Sequence, residues 1–279
     1  MRGSVLDPAL VHELLAGADG VFHLAARVGV RAVLEQPSAT LETNVVGTRN
    51  VLAAAVRTGA RVLFASSSEV YGQNHAPPFA EDSPLLSGAT REPRWSYACS
   101  KAMGEALTFA HAREERADVR VVRFFNVVGP RQVGTYGMVL PRFVRAALAG
   151  EPLDVYGDGS QTRCFLHVED ALDAVLGLWD EPRARGLVVN VGSDQEVSIA
   201  ALAELVRDAS GTHAPIVRMP YREVYGVEMI DFQRRVPNLE RLRSLIRWSA
   251  PRSLPAIVAE LTALRRAELE NALAKNPPS

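Results

Sequence analysis

The stretch Arg61-Val62-Leu63-Phe64-Ala65-Ser66 contains four consecutive apolar residues, a pattern typical of a strand buried on both faces. It ends in a serine cluster, and a polar, proline-rich loop follows over residues 73–94. A helix over residues 96–113 and another apolar strand over residues 119–125 come next. A strand, a helix and a second strand in this order favour a parallel βαβ unit. The sequence therefore predicts an α/β fold.

The same alternation extends in both directions. Upstream, residues 20–26 form a predicted strand and residues 43–58 a helix that Gly59 would cap. Downstream, the pattern predicts a helix over residues 139–149, a strand over residues 187–191 and a helix over residues 198–209. The order becomes less regular after Val155, which indicates a smaller C-terminal lobe, so we divide the chain into residues 1–150 and 151–279. Residues 253–273 carry an apolar stripe at helical spacing, typical of a packing helix.

The composition of the 279 residues is that of an ordinary globular protein, with 47% apolar and 23% charged residues. It excludes disorder, collagen and a coiled-coil rod. The 31 basic and 32 acidic residues give a net charge of −1, so no strong field attracts nucleic acid or an anionic membrane. Two cysteines, Cys99 and Cys164, cannot form a disulfide framework, and no apolar run reaches the roughly 18 residues that span a bilayer. We therefore expect a cytoplasmic protein.

Lys101 stands out because it and Lys275 are the only lysines in a chain with 29 arginines. It follows Tyr97 by four residues within the predicted helix, so the two side chains lie on one face about one turn apart. A neighbouring ammonium favours the phenolate form of a tyrosine, which can then act as a base. Chance spacing on an amphipathic helix is the alternative explanation.

Eight segments give this pair its context: residues 23–26; Asn44 with Gly47-Thr48; residues 66–72; residues 97–101 with Gly104-Glu105; residues 123–126 through Gly129-Pro130-Arg131; residues 156–159; residues 161–163; and Arg234-Arg235 before Val236-Pro237. In this order the chain resembles the extended short-chain dehydrogenases/reductases, specifically the NAD-dependent nucleotide-sugar epimerase, dehydratase and decarboxylase family. The resemblance implies a Rossmann-like parallel sheet within residues 1–150 and a substrate-binding lobe mainly within residues 151–279.

The resemblance also implies roles for single residues. Tyr97 would be the base, Lys101 would hold the nicotinamide ribose, and Ser67 or Ser68 would bind the sugar 4-hydroxyl. The other implied cofactor contacts are Leu24, Ala25, Ala26 and Phe124. Asn126, Arg163 and Arg235 would bind the sugar diphosphate, because a guanidinium donates to a diphosphate through two parallel hydrogen bonds. For the two arginines the alternative is a surface ion pair. His23 is expected to be a satisfied core histidine and Asn44 a structural residue; no metal site is expected.

Glu69 helps to distinguish among the reactions that this family catalyses. Dehydratases of this family carry an Asp-Glu pair where this chain has Ser68-Glu69, so 4,6-dehydration is disfavoured. Ser-Glu resembles the UDP-glucuronate decarboxylases, in which both residues lie near the C5 carboxylate, and similar serine-rich segments occur in C4 epimerases. The alternative is that Glu69 is a solvated turn residue.

The glycine-rich turn that holds the dinucleotide pyrophosphate in this family has no match before residue 20. Residues 2–7 resemble the family's third strand, with Ser4 in place of its Asp. Loss of the first two strands would expose an apolar sheet edge. Three explanations are open: the gene starts further upstream, residues 3–7 shift beside the 20–26 strand, or another chain supplies the missing part. We favour the first, under which the chain as written is expected to bind NAD poorly or not at all.

These observations predict an NAD-dependent enzyme that modifies a nucleotide-diphosphate sugar by transient C4 oxidation, of the epimerase or UDP-glucuronate decarboxylase type. The alternative is a degenerate nucleotide-sugar-binding protein without catalysis. The resemblance further implies a homodimer formed through the helices over residues 43–58 and 96–113. A nucleic-acid partner is not expected, because acidic residues balance the arginines and no basic run is long.

Overall fold

The computed structural model describes residues 1–134, 138–226 and 232–275. Its packing contacts divide the chain into two compact units, whose segments alternate along the sequence. The first unit comprises residues 1–125, 172–192 and 237–249. The second unit comprises residues 126–171, 193–236 and 250–279.

Short strands and longer helices alternate through both units. The strands are β1 (Gly20–His23), β2 (Arg61–Ser67), β3 (Val119–Phe124), β4 (Val127–Val128), β5 (Leu153–Tyr156), β6 (Thr162–Cys164), β7 (Leu166–His167), β8 (Val188–Val191), β9 (Glu196–Ser198), β10 (Ile216–Met219) and β11 (Arg234–Arg235). The helices are α1 (Pro8–Leu15), α2 (Val30–Glu35), α3 (Pro37–Leu41), α4 (Gly47–Thr58), α5 (Ser96–Glu114), α6 (Val139–Ala149), α7 (Val168–Asp180), α8 (Ile199–Ser210), α9 (Tyr221–Tyr225), α10 (Glu240–Leu245) and α11 (Leu254–Lys275). Over the described residues, none of these helices combines the length and apolar character needed to cross a bilayer.

The first unit is built on a four-stranded parallel sheet in the order β1-β2-β3-β8. Five of the seven residues of β2 are buried, as expected for a strand covered on both faces. The register pairs Ser67 with Phe124 and Phe124 with Val191, so the carboxyl ends of three strands meet at one edge. Open parallel sheets bind ligands at this edge. The predicted Rossmann-like α/β fold is confirmed.

The helix predicted over residues 43–58 ends where expected, because Gly59 adopts a positive φ of 73° and closes α4. The helical backbone begins earlier than predicted, at Pro37. A π-helical segment, Glu42–Val46, joins α3 to α4. Such insertions are frequent at functional sites, and this one contains Asn44.

The N-terminal residues do not form the strand that the resemblance implied. Asp7 instead caps α1, accepting hydrogen bonds from the backbone N–H groups of Ala9 and Leu10. The idea that residues 3–7 shift beside β1 is therefore wrong. Within the described residues β1 is an edge strand, paired with β2 alone. Phe22 and Leu24 are exposed there, by 38% and 62%.

The second unit packs α6, α8 and α11 around one apolar cluster. On α11, Ile257 and Val258 are buried in that cluster and Leu254 and Leu261 pack against it, which confirms the predicted packing helix. Leu264, the last residue of the predicted stripe, is 42% exposed. Helix α6 belongs to this unit, whereas the sequence-based division at residue 150 placed it in the first part.

Candidate active site

Helix α5 presents Tyr97 and Lys101 together. The helix begins at Ser96, so both residues lie in its first two turns. The Nζ atom of Lys101 lies 5.8 Å from the centroid of the Tyr97 ring. Tyr97 is half-buried and Lys101 is 4% exposed. The helical spacing predicted this juxtaposition, and the structure brings the phenol and the ammonium to the same side of α5.

The ammonium of Lys101 is fixed by the neighbouring strand. It donates a hydrogen bond of 2.6 Å to the carbonyl oxygen of Ala65 in β2 and lies 5.0 Å from the centre of the Phe64 ring. Burial lowers the pKa of Lys101 to about 8, and the negative charge of Glu105 opposes that shift. The side chain is therefore fixed by a backbone hydrogen bond. Its pKa of about 8 means that the ammonium begins to lose its proton just above neutral pH.

Glu105, one turn after Lys101, anchors a buried polar network behind the pair. Its carboxylate accepts two hydrogen bonds from the Arg123 guanidinium, at 2.9 and 2.7 Å. Ser66 donates a further bond of 2.5 Å to the same carboxylate. All three side chains are buried, so the network ties α5 to the ends of β2 and β3.

The serine turn follows directly on β2. Ser67 accepts a hydrogen bond of 3.2 Å from the backbone N–H of Glu69 through its Oγ atom, which starts the 3₁₀ turn Ser68–Tyr71. Ser68 is 1% exposed, whereas Ser67 is half-buried. Phe124, a predicted cofactor contact, is the register partner of Ser67. Ser67 therefore lies at the carboxyl edge of the sheet, where its predicted role requires it.

Glu69 is not the solvated turn residue that the alternative proposed. It forms an ion pair with Arg94, in which Nη1 lies 2.6 Å from Oε2 and Nη2 3.4 Å from Oε1. The two side chains are only 16% and 10% exposed. The sequence analysis missed Arg94. Its position three residues before Tyr97, in the short turn that leads into α5, was the available signal.

The segment Leu24-Ala25-Ala26 follows the carboxyl end of β1, and Asn44 fixes the backbone of the next residue, Arg27. Asn44 accepts a hydrogen bond from the backbone N–H of Arg27 and donates one to its carbonyl oxygen. It also donates to the Ser100 hydroxyl at 2.9 Å. The predicted structural role of Asn44 is confirmed, and its contacts extend to helix α5.

His23 is the satisfied core histidine that the sequence analysis expected. Its Nε2 atom lies 3.0 Å from the Thr48 hydroxyl, and the residue is 4% exposed. Burial, together with the positive charge of Lys101, lowers the pKa of His23 to about 4. The ring is therefore neutral at physiological pH.

The second unit brings together the three predicted diphosphate ligands. Strands β11 and β6 pair Arg235 with Arg163 in parallel register. Asn126 donates to the carbonyl oxygen of Cys164, the residue after Arg163. Arg235 and Arg163 are only 7% and 8% exposed, so neither is the surface residue that the alternative required. Arg163 donates to the carbonyl oxygens of Thr162 and Phe232. The cluster suits a ligand with several anionic oxygens.

The first unit fits one end of a nicotinamide dinucleotide. Lys101 has two N–H donors besides the one given to Ala65, which suit ribose hydroxyls. Residues 24–26, of which Leu24 and Ala25 are exposed and Ala26 is half-buried, offer a backbone surface at the same sheet edge. Residues 1–19, all described, form α1 and turns and contain no glycine-rich strand-turn-helix for a pyrophosphate. The described residues therefore fit the nicotinamide-ribose end.

A parallel α/β sheet with a serine turn and a Tyr-Lys helix at its carboxyl edge defines the class of short-chain dehydrogenase-like proteins. The model of the family described as "NAD dependent epimerase/dehydratase family" matches residues 1–192. The chain belongs to this family, and the predictions of the family and of an enzyme are confirmed.

The chain is similar to several proteins of known activity. A UDP-N-acetyl-alpha-D-glucosaminuronate decarboxylase from Bacillus cytotoxicus is 43% identical over 246 residues, or 88% of this chain and 76% of that protein. UDP-glucuronic acid decarboxylase 1 from Xenopus tropicalis is 34% identical over 249 residues, or 88% of this chain and 56% of that protein. The solved structure of DesIV, a dTDP-glucose 4,6-dehydratase from Streptomyces venezuelae with NAD bound, superposes with a TM-score of 0.85 at 27% identity and covers 96% of this chain and 79% of that one.

Proposed function

We propose that this chain catalyses the NAD-dependent decarboxylation of a nucleotide-activated uronate sugar through transient oxidation at C4. The observation that carries the proposal is the Tyr97–Lys101 geometry on α5, in a chain whose relatives include decarboxylases of two UDP-uronates. A C4 epimerase would use the same redox step, so decarboxylation is the more specific part of the proposal.

In this mechanism Tyr97 accepts the proton of the C4 hydroxyl. The Lys101 ammonium favours the phenolate, and its bond to the Ala65 carbonyl keeps it in place. Ser67 hydrogen-bonds the same hydroxyl from the end of β2. When bound, NAD supplies the acceptor for the C4 hydride.

Loss of CO2 then needs little further catalysis. Oxidation at C4 turns a C5 carboxylate into a β-keto acid, whose C5–C6 bond breaks with the electron pair moving onto the C4 oxygen. A proton adds at C5. NAD held by Lys101 and the backbone of residues 24–26 would supply reversible hydride transfer at C4, so the reaction would have no net redox change. In the second unit, Arg163, Arg235 and Asn126 bind the diphosphate.

We also propose that the chain acts as a homodimer through α4 and α5. Met103 lies on α5 and is 51% exposed, so it is the apolar position of this helix at which the proposed contact can be tested.

The test is to incubate the chain with NAD and, separately, UDP-glucuronate, UDP-N-acetylglucosaminuronate and UDP-glucose, and to follow products by NMR. We expect CO2 and a UDP-sugar that lacks C6 from at least one uronate: a UDP-pentose from UDP-glucuronate or its 2-acetamido counterpart from UDP-N-acetylglucosaminuronate. The Tyr97→Phe variant should react about 100-fold more slowly or worse. Undiminished turnover by that variant would remove Tyr97 from the mechanism. If calorimetry shows that the chain binds a UDP-sugar but neither binds NAD nor turns the sugar over, the degenerate binding protein is favoured. The edge position of β1 among the described strands is the observation that supports this alternative.

A further inference from the structure

Helix α5 is joined to the end of β2 by two hydrogen bonds that lie side by side. Lys101 donates to the carbonyl oxygen of Ala65 at 2.6 Å, and Glu105 accepts from the hydroxyl of Ser66 at 2.5 Å. Lys101 and Glu105 are four residues apart, so they lie on the same face of the helix. Ala65 and Ser66 share one planar peptide unit, so the Ser66 side chain helps to orient the carbonyl group that holds Lys101.

Glu105 bridges one pair of facing residues in the parallel sheet. Ser66 in β2 and Arg123 in β3 are register partners, and both donate hydrogen bonds to its carboxylate. The next pair towards the carboxyl edge is Ser67 with Phe124. The carboxylate therefore fixes α5 to the sheet one residue before the serine that the proposed reaction uses.

Packing sets the distance between α5 and β2 but not their relative position along the strand. A Cβ atom at residue 104 would lie 2.4 Å from Cζ of Phe64, so the close approach needs Gly104. Apolar contacts of this kind have no preferred direction, whereas a hydrogen bond weakens steeply when its angle changes. The Ser66–Glu105 bond is therefore a contact that resists sliding of the helix along the strand.

We propose that Ser66 and Glu105 are positioning residues, whose hydrogen bond keeps Ser67 aligned with the tyrosine and the lysine of α5. The inference rests on the proposed function, in which one sugar hydroxyl contacts both Ser67 and Tyr97. Ser66 and Glu105 are each 4% exposed, so they act through other residues and do not touch the sugar. A misplacement of about 1 Å between reacting groups can slow a reaction by about 100-fold.

Decarboxylation kinetics of Ser66→Ala test the inference, with the UDP-uronate that the wild type turns over. The substitution leaves both hydrogen bonds from Arg123 to Glu105 in place, so the variant is expected to fold. We expect kcat to fall by about tenfold or more while KM stays within about threefold, because the proposed diphosphate contacts lie elsewhere in the chain. Ser66→Thr keeps a hydroxyl at this position and should retain kcat within about threefold.

Thr108→Val is the matched control. Thr108 is also buried on α5, and its hydroxyl donates to the carbonyl oxygen of Gly104 at 2.7 Å, so this substitution removes a bond within the helix and not one to β2. Its kcat should stay within about threefold of the wild type. A fall in kcat equal to that of Ser66→Ala would show a general weakening of α5 and would overturn the inference. Equal losses in Ser66→Ala and Ser66→Thr, or a change confined to KM, would have the same consequence.

The folded fraction of each variant is measured by circular dichroism under the assay conditions, and kcat is expressed per folded chain. If Ser66→Ala does not fold, Ser66→Cys takes its place with the same expectation, because a thiol is a weak donor. If the wild type decarboxylates a UDP-uronate and every variant keeps its kcat, only the positioning role fails. If the wild type decarboxylates neither UDP-uronate, the proposed function fails and the inference fails with it.

Discussion

The ammonium of Lys101 lies 5.8 Å from the centroid of the Tyr97 ring while it donates a hydrogen bond to the carbonyl oxygen of Ala65. A strand carbonyl thus fixes the cation, and one turn of α5 fixes its separation from the phenol. A buried cation with one backbone acceptor is costly for the fold, and its pKa of about 8 reflects that cost. The arrangement therefore makes a prediction about stability as well as about catalysis.

Lys101 should make the stability of the protein rise with pH above neutrality. The folded-state pKa is about 8 against 10.5 for the free group, so between these values the unfolded chain binds more protons. The wild type should gain up to about 3 kcal/mol relative to Lys101→Met between pH 7 and pH 10.5. Urea denaturation of both proteins across this range measures the difference. A constant difference would mean that the ammonium is not desolvated.

Protonation of His23 should destabilise the folded protein at acidic pH. Its folded-state pKa of about 4 lies below the free value of 6.5, so the unfolded state binds more protons between them. Stability should fall as the pH is lowered through this window, by up to about 3 kcal/mol from this residue. His23→Gln, which can still hydrogen-bond Thr48, lacks the titrating ring. The prediction fails if thermal melts between pH 7 and pH 4 run parallel for the two proteins.

Periodicity and register explain which parts of this site the sequence revealed. The Tyr97–Lys101 pair was predictable because four residues make one helical turn. The Arg94–Glu69 pair was not, because the two residues are 25 positions apart and the segment between them is a loop whose path no period determines. Arg163 and Arg235 were recognised one by one, but their adjacency depends on the β6–β11 pairing.

The N-terminus was misread for a different reason. The resemblance of residues 2–7 to a strand outweighed a local signal, an Asp followed by Pro8, which is a common way to start a helix. Asp7 caps α1 with two hydrogen bonds. Local capping chemistry was the better guide at this position.

Removal of the Glu105 charge should destabilise the first unit strongly. Glu105→Gln leaves the buried guanidinium of Arg123 without a carboxylate, and breaking a buried ion pair costs roughly 3–5 kcal/mol. Urea denaturation measures the loss. Glu151→Gln breaks the exposed pair with Arg145, whose side chains are 55% and 52% exposed, and should cost less than about 1 kcal/mol. Equal effects of the two substitutions would contradict the assignment of a buried network.

The proposed dimer should depend on the exposed face of α5. Met103→Glu places a charge where an apolar contact is expected, so the molar mass in light scattering should shift from about two chains towards one. Leu269→Glu, at an exposed position on α11 in the second unit, is the control and should leave the mass unchanged. A wild type with the mass of one chain would refute the dimer outright.

A comparison of Arg235 with its neighbour Arg234 tests whether Arg235 contacts the diphosphate directly or acts only through its positive charge. Arg235 is buried beside Arg163, whereas Arg234 pairs with Glu196 through two hydrogen bonds of 2.8 Å. Arg235→Met should weaken the binding of UDP by about 10- to 100-fold, because a charge-assisted bond contributes roughly 1.5–3 kcal/mol. Arg234→Met removes the same charge one residue away and should change the affinity by less than about threefold. Calorimetric titration with UDP compares them, and equal losses would show a general electrostatic effect in place of a diphosphate contact.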